Sequence, residues 1–269
     1  MDITPLLAIG LSFGMIFLGN ALEGGHIGSL MQLTAALIVF GGTIGAAWLG
    51  ATPQESKALL KLTPRLMRPG TADRRKVLDD ILKVTQTVRR DGMLAVENLL
   101  PTIGDDSLRK GLQMLVDGNS GDDVKRLLEL DMELQEHHGA AAAKLWTDAG
   151  GYAPTVGILG AVLGLIHVMQ NLSDPSKLGS GIAVAFVATV YGVGTANLLF
   201  LPIGARLKKI VQLEAEDRAM IIAGLQAIVA GANTRQIADI LSPFMPHDGK
   251  HGDDGGGGGA GGGDAKAAA

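Results

Sequence analysis

Four long apolar stretches contain no Asp, Glu, Lys or Arg, and they constrain the fold of this chain more than any other feature. They cover residues 3–22, 30–49, 151–170 and 181–202, about 20 residues each. A helix rises about 1.5 Å per residue, so each stretch can cross a hydrocarbon core about 30 Å thick. The sequence predicts an all-α integral membrane protein with four transmembrane helices in two hairpins.

The Lys and Arg residues are distributed unevenly, and this predicts the orientation in the membrane. They number 0 in residues 1–50, 15 in 51–149, 1 in 150–203 and 7 in 204–269. Lys and Arg close to span ends favour the cytoplasmic side. Both polar blocks and both termini are therefore predicted to be cytoplasmic. The formal net charge of -4 averages over unlike regions, and no nucleic-acid partner is expected.

The two polar blocks are predicted to be helical. In 51–149 apolar residues recur at helical spacing, which predicts a helical cytoplasmic region with one helix capped near Thr71 or Ala72 and a second capped by Ser107. The helical pattern of the last span continues into 204–245, a predicted cytoplasmic extension. The Gly-rich end, 246–269, cannot bury a core and is predicted to be disordered.

Small residues recur at four-residue spacing in the apolar stretches. Gly41 and Gly45 form one such pair, and Gly160 and Gly164 form another. This spacing places small residues on one helix face, so that backbones approach closely. The sequence leaves open whether these faces pack within one chain or between subunits of a ring.

Four residues inside the apolar stretches have the potential to act in transport. His167, near the outer end of the third stretch, either relays protons or forms a hydrogen bond at the membrane interface. Pro154 and Pro202 each remove a backbone donor near the cytoplasmic end of the second hairpin, as a hinge or simply as a mark of span entry and exit. Thr189 either lines a narrow polar path or bonds back to the carbonyl four residues earlier. No nucleophile and base, phosphate loop or metal-ligand cluster is recognisable, so neither an enzyme nor a cofactor is expected.

Several motifs, in the right order along the chain, resemble the flagellar stator A-subunits of the MotA/PomA family, especially MotC-type members. They are residues 150–209, from GGYAPTVGILG to GTANLLFLPIGARLK, together with ALEGGHIGSLMQ from 21, RRDGMLAVENLL from 89 and RKGLQMLVDG from 109. The resemblance implies a pentameric ring in the bacterial inner membrane. The ring would surround a MotB-type B-subunit that supplies a transmembrane Asp, and ion flow would turn it against the rotor.

The family's functional residues can be matched to positions of this chain. The resemblance implies that Pro154, Thr189 and Pro202 belong to the ion path and its coupling. Ala161 stands where sodium-driven members have Thr, and because a hard cation seeks oxygen ligands, an Ala there favours protons. Arg89 or Arg90, with Glu97, match charges that face the rotor's switch protein.

Two other functions remain open at this point. An ExbB/TolQ-type energiser of outer-membrane processes shares the second hairpin, although such proteins have three spans. A non-conducting membrane scaffold is the second alternative. Because no carboxylate lies in any predicted span, the chain must obtain a titratable acid from a partner or not conduct protons.

Overall fold

The computed structural model describes residues 2–70 and 72–246, and it gives the backbone alone for 175–177. All regular secondary structure in these residues is helical, which confirms the all-α class. The predicted disordered tail lies outside the described residues, except for Pro246.

The described part of the chain forms α-helices joined by short turns. In chain order they are α1 (Thr4–Leu22), α2 (Leu33–Leu49), α3 (Pro53–Leu62), α4 (Arg74–Asp91), α5 (Asp106–Val116), α6 (Gly121–Gln170), α7 (Pro175–Thr195), α8 (Leu201–Val229) and α9 (Thr234–Leu241). Stretches of 3-10 helix cover Ile27–Leu30, Thr63–Leu66, Met93–Thr102 and Ser242–Phe244. A π-helical segment, Ala196–Phe200, joins α7 and α8 into one continuous helix.

In the described chain, three helical segments are long and apolar enough to cross a membrane: α1, α6 and the continuous helix α7–α8. α2 is also apolar but has only 17 residues. It begins at Leu33 rather than at residue 30, because the 3-10 turn Ile27–Leu30 precedes it. The second link is also shorter than the expected 171–180, since α7 begins at Pro175. The described chain therefore has three helical segments of spanning length, and α2 is a fourth apolar helix that is shorter than expected.

The helix α6 joins the first polar block to the third apolar stretch without a break. It has 50 residues, and Ser120 caps its start by accepting a hydrogen bond from the Asp123 N–H at 3.1 Å. At about 1.5 Å per residue, α6 is about 75 Å long and therefore extends well beyond any bilayer core. The α7–α8 helix runs antiparallel beside it, with Leu201 against Gly150.

In the first polar block, two helices have N-terminal caps that differ from the predicted ones. α4 is capped by Asp73 rather than by Ala72, and Thr71 lies outside the described residues. α5 is capped by Asp105 rather than by Ser107. In both cases a carboxylate accepts hydrogen bonds from free N–H groups of the first turn. The helix dipole also favours negative charge at this position.

The polar blocks fold together around a main hydrophobic core, and a second, smaller cluster contains Leu62, Ala142, Ala143, Leu207 and Val211. α4, α5, α8, α9 and the 3-10 stretch Met93–Thr102 all contribute to the main core, and so does the start of α6. Its largest fully buried side chains are Ile81, Ile103, Leu108, Leu112, Met220, Ile221, Leu225, Ile237 and Leu241. Each buried side chain of this size stabilises the fold by about 1.5–3 kcal/mol, so this domain is held mainly by apolar burial.

The N-terminus lies at the same end of the spans as this domain. Asp2 forms an ion pair with Arg206 of α8, and its N–H donates to the Met67 carbonyl at 2.9 Å. Hydrogen bonds from Thr4, together with Arg206, lower the pKa of Asp2. The start of α1 is thereby tied to both polar blocks.

Candidate ion path and rotor-facing site

α6 and α7 pack through a seam of small residues. A Cβ atom added at Gly192 would lie 2.9 Å from the Gly157 Cα, and one added at Gly164 would lie 2.8 Å from the Ala185 nitrogen. Such distances are closer than real Cβ contacts, so the two backbones touch and only glycine fits. Gly160 lies on the same seam, which places the predicted Gly160 and Gly164 pair inside the hairpin.

The predicted glycine pair of α2 does not pack in this way. A Cβ added at Gly41 or Gly45 would meet nothing within 4 Å. Gly42 instead faces α6, where an added Cβ would lie 2.8 Å from Val156 Cγ1. The face that carries Gly41 and Gly45 is therefore open in the single chain.

Ala161 and Thr189 lie at the same depth in the hairpin. A Cβ added at Gly160, next to Ala161, would lie 2.8 Å from the Cβ of Ala188, next to Thr189. Both Ala161 and Thr189 are half-buried. The Thr189 hydroxyl donates to the Ala185 carbonyl at 3.2 Å, so it bonds back to its own helix. Its oxygen can still accept a hydrogen bond from another group.

The two prolines lie in the half of the hairpin nearest the polar blocks, roughly one helical turn apart. Pro154 is half-buried inside α6, four residues after Gly150. Pro202 is exposed and follows Leu201, which packs on Gly150. Four residues of helix correspond to about 6 Å, so the prolines are near each other in depth but not level.

A π-helical segment ends two residues before Pro202. The Leu201 N–H donates to the Ala196 carbonyl, five residues earlier, instead of the usual four. Such segments are frequent at functional sites and at kinks. In the sequence, Pro202 is the one sign of this irregularity. The helix is therefore irregular between Thr189 and Pro202, the two residues that the sequence selects on it.

Two further polar side chains in the apolar helices were missed by the sequence analysis. The Tyr191 hydroxyl donates to the Leu30 carbonyl and accepts from the Gln32 N–H at 3.4 Å, while its ring stacks on Phe40 at 5.7 Å between centroids. Thr43 is fully buried, and its hydroxyl has no partner among the described residues. A mid-span Tyr is a usable signal, because its hydroxyl needs a partner. Tyr191 thus ties α7 to the start of α2.

The predicted rotor-facing charges lie at the end of the domain that is distant from the spans. α4 runs parallel to α8, since Arg74 bonds to Asp217 and Ile81 packs against Gly224. Arg89 follows Ile81 by eight residues, about 12 Å further along the helix. The structure therefore places the end of α4 away from the membrane.

Arg89, Arg90 and Glu97 are all exposed, but the two arginines differ in their partners. The Arg90 side chain donates to Asp91 from Nε at 2.9 Å and from NH2 at 2.8 Å. This hydrogen bonding lowers the pKa of Asp91 and raises the pKa of Arg90. Arg89 makes no ion pair or side-chain hydrogen bond with any residue that the structure describes. Its charge is thus the more available of the two.

Comparison with known proteins identifies the family. Residues 100–241 match the MotA/TolQ/ExbB proton channel family, and residues 7–92 match the motility protein A N-terminal family. The chain belongs to the MotA/TolQ/ExbB proton channel family. Within it, the N-terminal match assigns the chain to the flagellar stator A-subunits, the MotA/PomA branch, as the sequence motifs imply.

Individual relatives agree with this assignment over nearly the whole chain. Motility protein A of Bacillus subtilis is 32% identical over 251 residues, which cover 91% of this chain and 92% of that protein. Motility protein A of Helicobacter pylori is 31% identical over 245 residues, or 91% of this chain and 95% of that protein. MotAB of C. jejuni has a similar structure, with a TM-score of 0.87, 31% identity and coverage of 92% of this chain and 97% of that chain.

The matched ranges include most of the candidate residues of this stator-family chain. The ion-path candidates all lie within 100–241, and the two arginines lie within 7–92. Glu97 lies between the two ranges. The match at 7–92 also separates the chain from an ExbB/TolQ-type energiser, because that range matches motility protein A specifically.

Proposed function

We propose that this chain is the A-subunit of a flagellar motor stator that forms a proton channel with a B-subunit and couples proton flow to torque on the rotor. One observation carries the proposal: in a chain of a proton channel family, the closely packed α6–α7 hairpin has no Asp, Glu, Lys or Arg in 151–170 or 181–202. Protons cross a bilayer through titratable groups, which are rare and functional there. The carrier is an Asp in the span of the B-subunit.

In this proposal four helices cross the bacterial inner membrane: α1, α2, the last part of α6 and α7. The N- and C-termini and the domain built from both polar blocks are cytoplasmic. The contacts of Asp2 with Met67 and Arg206 support this arrangement, because they hold the start of α1 beside both polar blocks. The concentration of Lys and Arg in those blocks supports the orientation.

The residues of the hairpin divide into a path and its coupling. Ala161 and Thr189, level with each other, line the path on which the B-subunit's Asp takes up and releases a proton. An Ala in place of a hydroxyl at 161 offers one oxygen fewer to a hard cation, which supports proton rather than sodium coupling. Pro154 and Pro202 connect the protonation state of that Asp to movement of the cytoplasmic parts of α6 and α8.

Five copies of the chain form a ring around the B-subunits, and the cytoplasmic domain meets the rotor's switch protein. The open face of Gly41 and Gly45, and the lack of any buried residue on α1, supply surface for neighbouring subunits and lipid. Arg89 and Glu97 contact the switch protein. Charges of this kind set partner choice and register more than affinity.

Swimming in soft agar tests the proposed function. A strain that lacks this gene swims again when the chain is expressed with its B-subunit. Swimming is lost again when the transmembrane Asp of the B-subunit is replaced by Asn. Swimming that survives this replacement identifies a non-conducting scaffold. Restored outer-membrane uptake without restored swimming identifies an ExbB/TolQ-type energiser.

A further inference from the structure

An apolar pocket opens at the end of the spans nearest the cytoplasmic domain. Its volume is about 370 Å³, and α2, α3 and α6 enclose it. Trp48, Leu59, Leu60 and Trp146 contribute to its wall, which is almost entirely apolar. Trp48 is 68% exposed and Leu60 is 75% exposed, so the apolar wall continues onto the surface. In a membrane protein, such a surface at a span end is available to lipid or to a neighbouring subunit.

Both tryptophans of the chain lie at this pocket. The Trp146 Nε1–H donates to the Thr63 hydroxyl at 3.3 Å, and its ring lies 5.8 Å from that of Phe200. Tryptophan is enriched where the hydrocarbon meets the headgroups, since its ring is apolar and its N–H is polar. The pocket therefore lies at the level of the cytoplasmic headgroups.

α3 supplies positive charge beside the pocket, because Lys57 and Lys61 directly follow Ser56 and Leu60, which line it. Lys57 lies one turn before Leu60 on the same side of α3, and Lys61 lies one turn after Lys57. Both lysines are exposed, and neither forms an ion pair with a residue that the structure describes. The carboxylate of α3, Glu55, instead accepts hydrogen bonds from Thr52 at the start of the helix.

The neighbouring basic groups are already neutralised. Arg65 pairs with Glu214 at 2.7 Å, and Lys144 pairs with Asp148 at 2.6 Å. On α3 itself, Lys57 and Lys61 carry positive charge without a described ion-pair partner. An anion on the outer side of α3 beside Leu60 would lie near both ammonium groups, and Lys61 also lines a separate cleft with Arg65 and Glu214.

We propose that this pocket binds one acyl chain of an anionic phospholipid from the cytoplasmic leaflet, with Lys57 and Lys61 at its headgroup. The acyl chain lies along Trp48 and Leu60, and the lysines select a headgroup with a net negative charge over a zwitterionic one. The bound lipid fastens α3, which connects the first hairpin to the cytoplasmic domain, to the bilayer surface. This inference rests on the membrane placement proposed above.

The tryptophans themselves report on the pocket, because an acyl chain carrying bromine quenches their fluorescence. The complex of the chain with its B-subunit is reconstituted in phosphatidylcholine vesicles that contain increasing fractions of dibrominated phosphatidylglycerol or dibrominated phosphatidylcholine. The emission of a Trp48→Phe/Trp146→Phe complex is subtracted as background. We expect half-maximal quenching at a several-fold lower fraction of the anionic lipid.

Matched variants assign this preference to the lysines. Lys57→Gln/Lys61→Gln abolishes the preference, whereas Lys83→Gln, at an exposed lysine of α4 in the cytoplasmic domain, retains it. Inorganic phosphate added to the vesicles does not displace the brominated lipid. Equal quenching by both lipids, a preference that survives Lys57→Gln/Lys61→Gln, or displacement by phosphate overturns the proposal.

Two other outcomes separate this proposal from the membrane placement on which it rests. If neither brominated lipid quenches, this end of the spans lies outside the bilayer, and the placement itself fails. If Leu60→Cys, in a chain without native cysteine, forms disulfides between copies and quenching is absent, a second copy occupies the pocket. Either result overturns the lipid site.

Discussion

At the residue scale, Gly192 and Gly194 of α7 differ in the space in front of them. A Cβ at Gly192 would lie 2.9 Å from the Gly157 Cα, whereas a Cβ at Gly194 would meet nothing within 4 Å. We expect Gly192→Ala to force the helices apart, to lower the free energy of unfolding by about 1–3 kcal/mol and to impair swimming. Gly194→Ala is the control and leaves both unchanged. Thermal unfolding in detergent measures the difference, and equal melting temperatures would contradict the seam.

The hydroxyls of Thr189 and Thr195 each donate a hydrogen bond to the carbonyl four residues earlier, but only Thr189 is proposed to line the proton path. Their hydroxyls donate to the carbonyls of Ala185 at 3.2 Å and of Tyr191 at 2.6 Å. Thr189→Val keeps the shape and removes the oxygen, so we expect proton flux and swimming to be lost, while Thr189→Ser retains them. Thr195→Val removes an equivalent bond and retains flux. Normal swimming of Thr189→Val, or equal loss in Thr195→Val, would remove Thr189 from the path.

At the element scale, Arg74 fastens the start of α4 to α8 and to the end of the described chain. Its guanidinium bonds to Asp217, to Glu216 at 2.9 Å and to the Phe244 carbonyl at 2.7 Å. Burial lowers the pKa of Arg74, but the hydrogen bonds to Asp217 and Glu216 outweigh this effect and raise it. The Asp217 carboxylate is buried, with 6% of the residue exposed, and it also accepts a hydrogen bond from the Ala72 N–H at 2.8 Å.

Arg74→Gln therefore leaves a buried carboxylate without its cation. We expect the free energy of unfolding to fall by about 2–4 kcal/mol. Arg126→Gln is the control, because Arg126 pairs with Asp123 on the surface, and such pairs contribute about 0–1 kcal/mol. Chemical denaturation of the purified protein compares the two. A similar loss in both variants would show that the Arg74 contacts do not fasten α4 to α8.

Tyr191 connects α7 to the start of α2, and the chain offers a matched control in its other tyrosine. Tyr191→Phe removes the bonds to Leu30 and Gln32 and keeps the stack on Phe40, so we expect a loss of about 1 kcal/mol. Tyr152→Phe alters a hydroxyl on an exposed residue and leaves stability unchanged. Thermal unfolding in detergent measures both, and an unchanged Tyr191→Phe protein would contradict the connection.

The sequence predicts those elements that depend on local pattern. The apolar stripe from Asp122 onward and the uninterrupted pattern after Pro202 indicate the long helices α6 and α8, because periodicity is a property of neighbouring residues. The predicted caps of α4 and α5 lie one or two residues from the observed ones, because several nearby side chains can cap a helix. The carboxylates of Asp73 and Asp105 are the side chains that accept the hydrogen bonds of the first turn.

Features that depend on distant residues could not be predicted. The hydrogen bonds of Tyr191 with Leu30 and Gln32, before the start of α2, join residues far apart in the chain. The contact of Arg74 with Asp217 does the same. The residues of the candidate path were selected by family resemblance, and the common depth of Ala161 and Thr189 follows only from the register of α6 against α7. Neither composition nor spacing contains that register.

At the scale of the whole molecule, uncharged apolar helices are joined to the domain built from both polar blocks by helices that continue from one into the other. α6 begins in that domain and ends at Gln170, and the α7–α8 helix returns to it as far as Val229. Under the proposed function, movement at the level of Pro154 and Pro202 is transmitted along these helices to the end of α4, where Arg89 is exposed. In that proposal this chain provides the wall of the proton path, and the B-subunit provides the carboxylate.

Proton flux through vesicles tests this central claim most directly. Vesicles that contain the chain alone, the chain with its B-subunit, or the chain with an Asp→Asn B-subunit are compared under an imposed membrane potential, with an internal pH dye as the readout. The account predicts flux only with the intact B-subunit, because no carboxylate lies in 3–22, 30–49, 151–170 or 181–202. Flux of equal size through the chain alone, or with the Asp→Asn B-subunit, would contradict it.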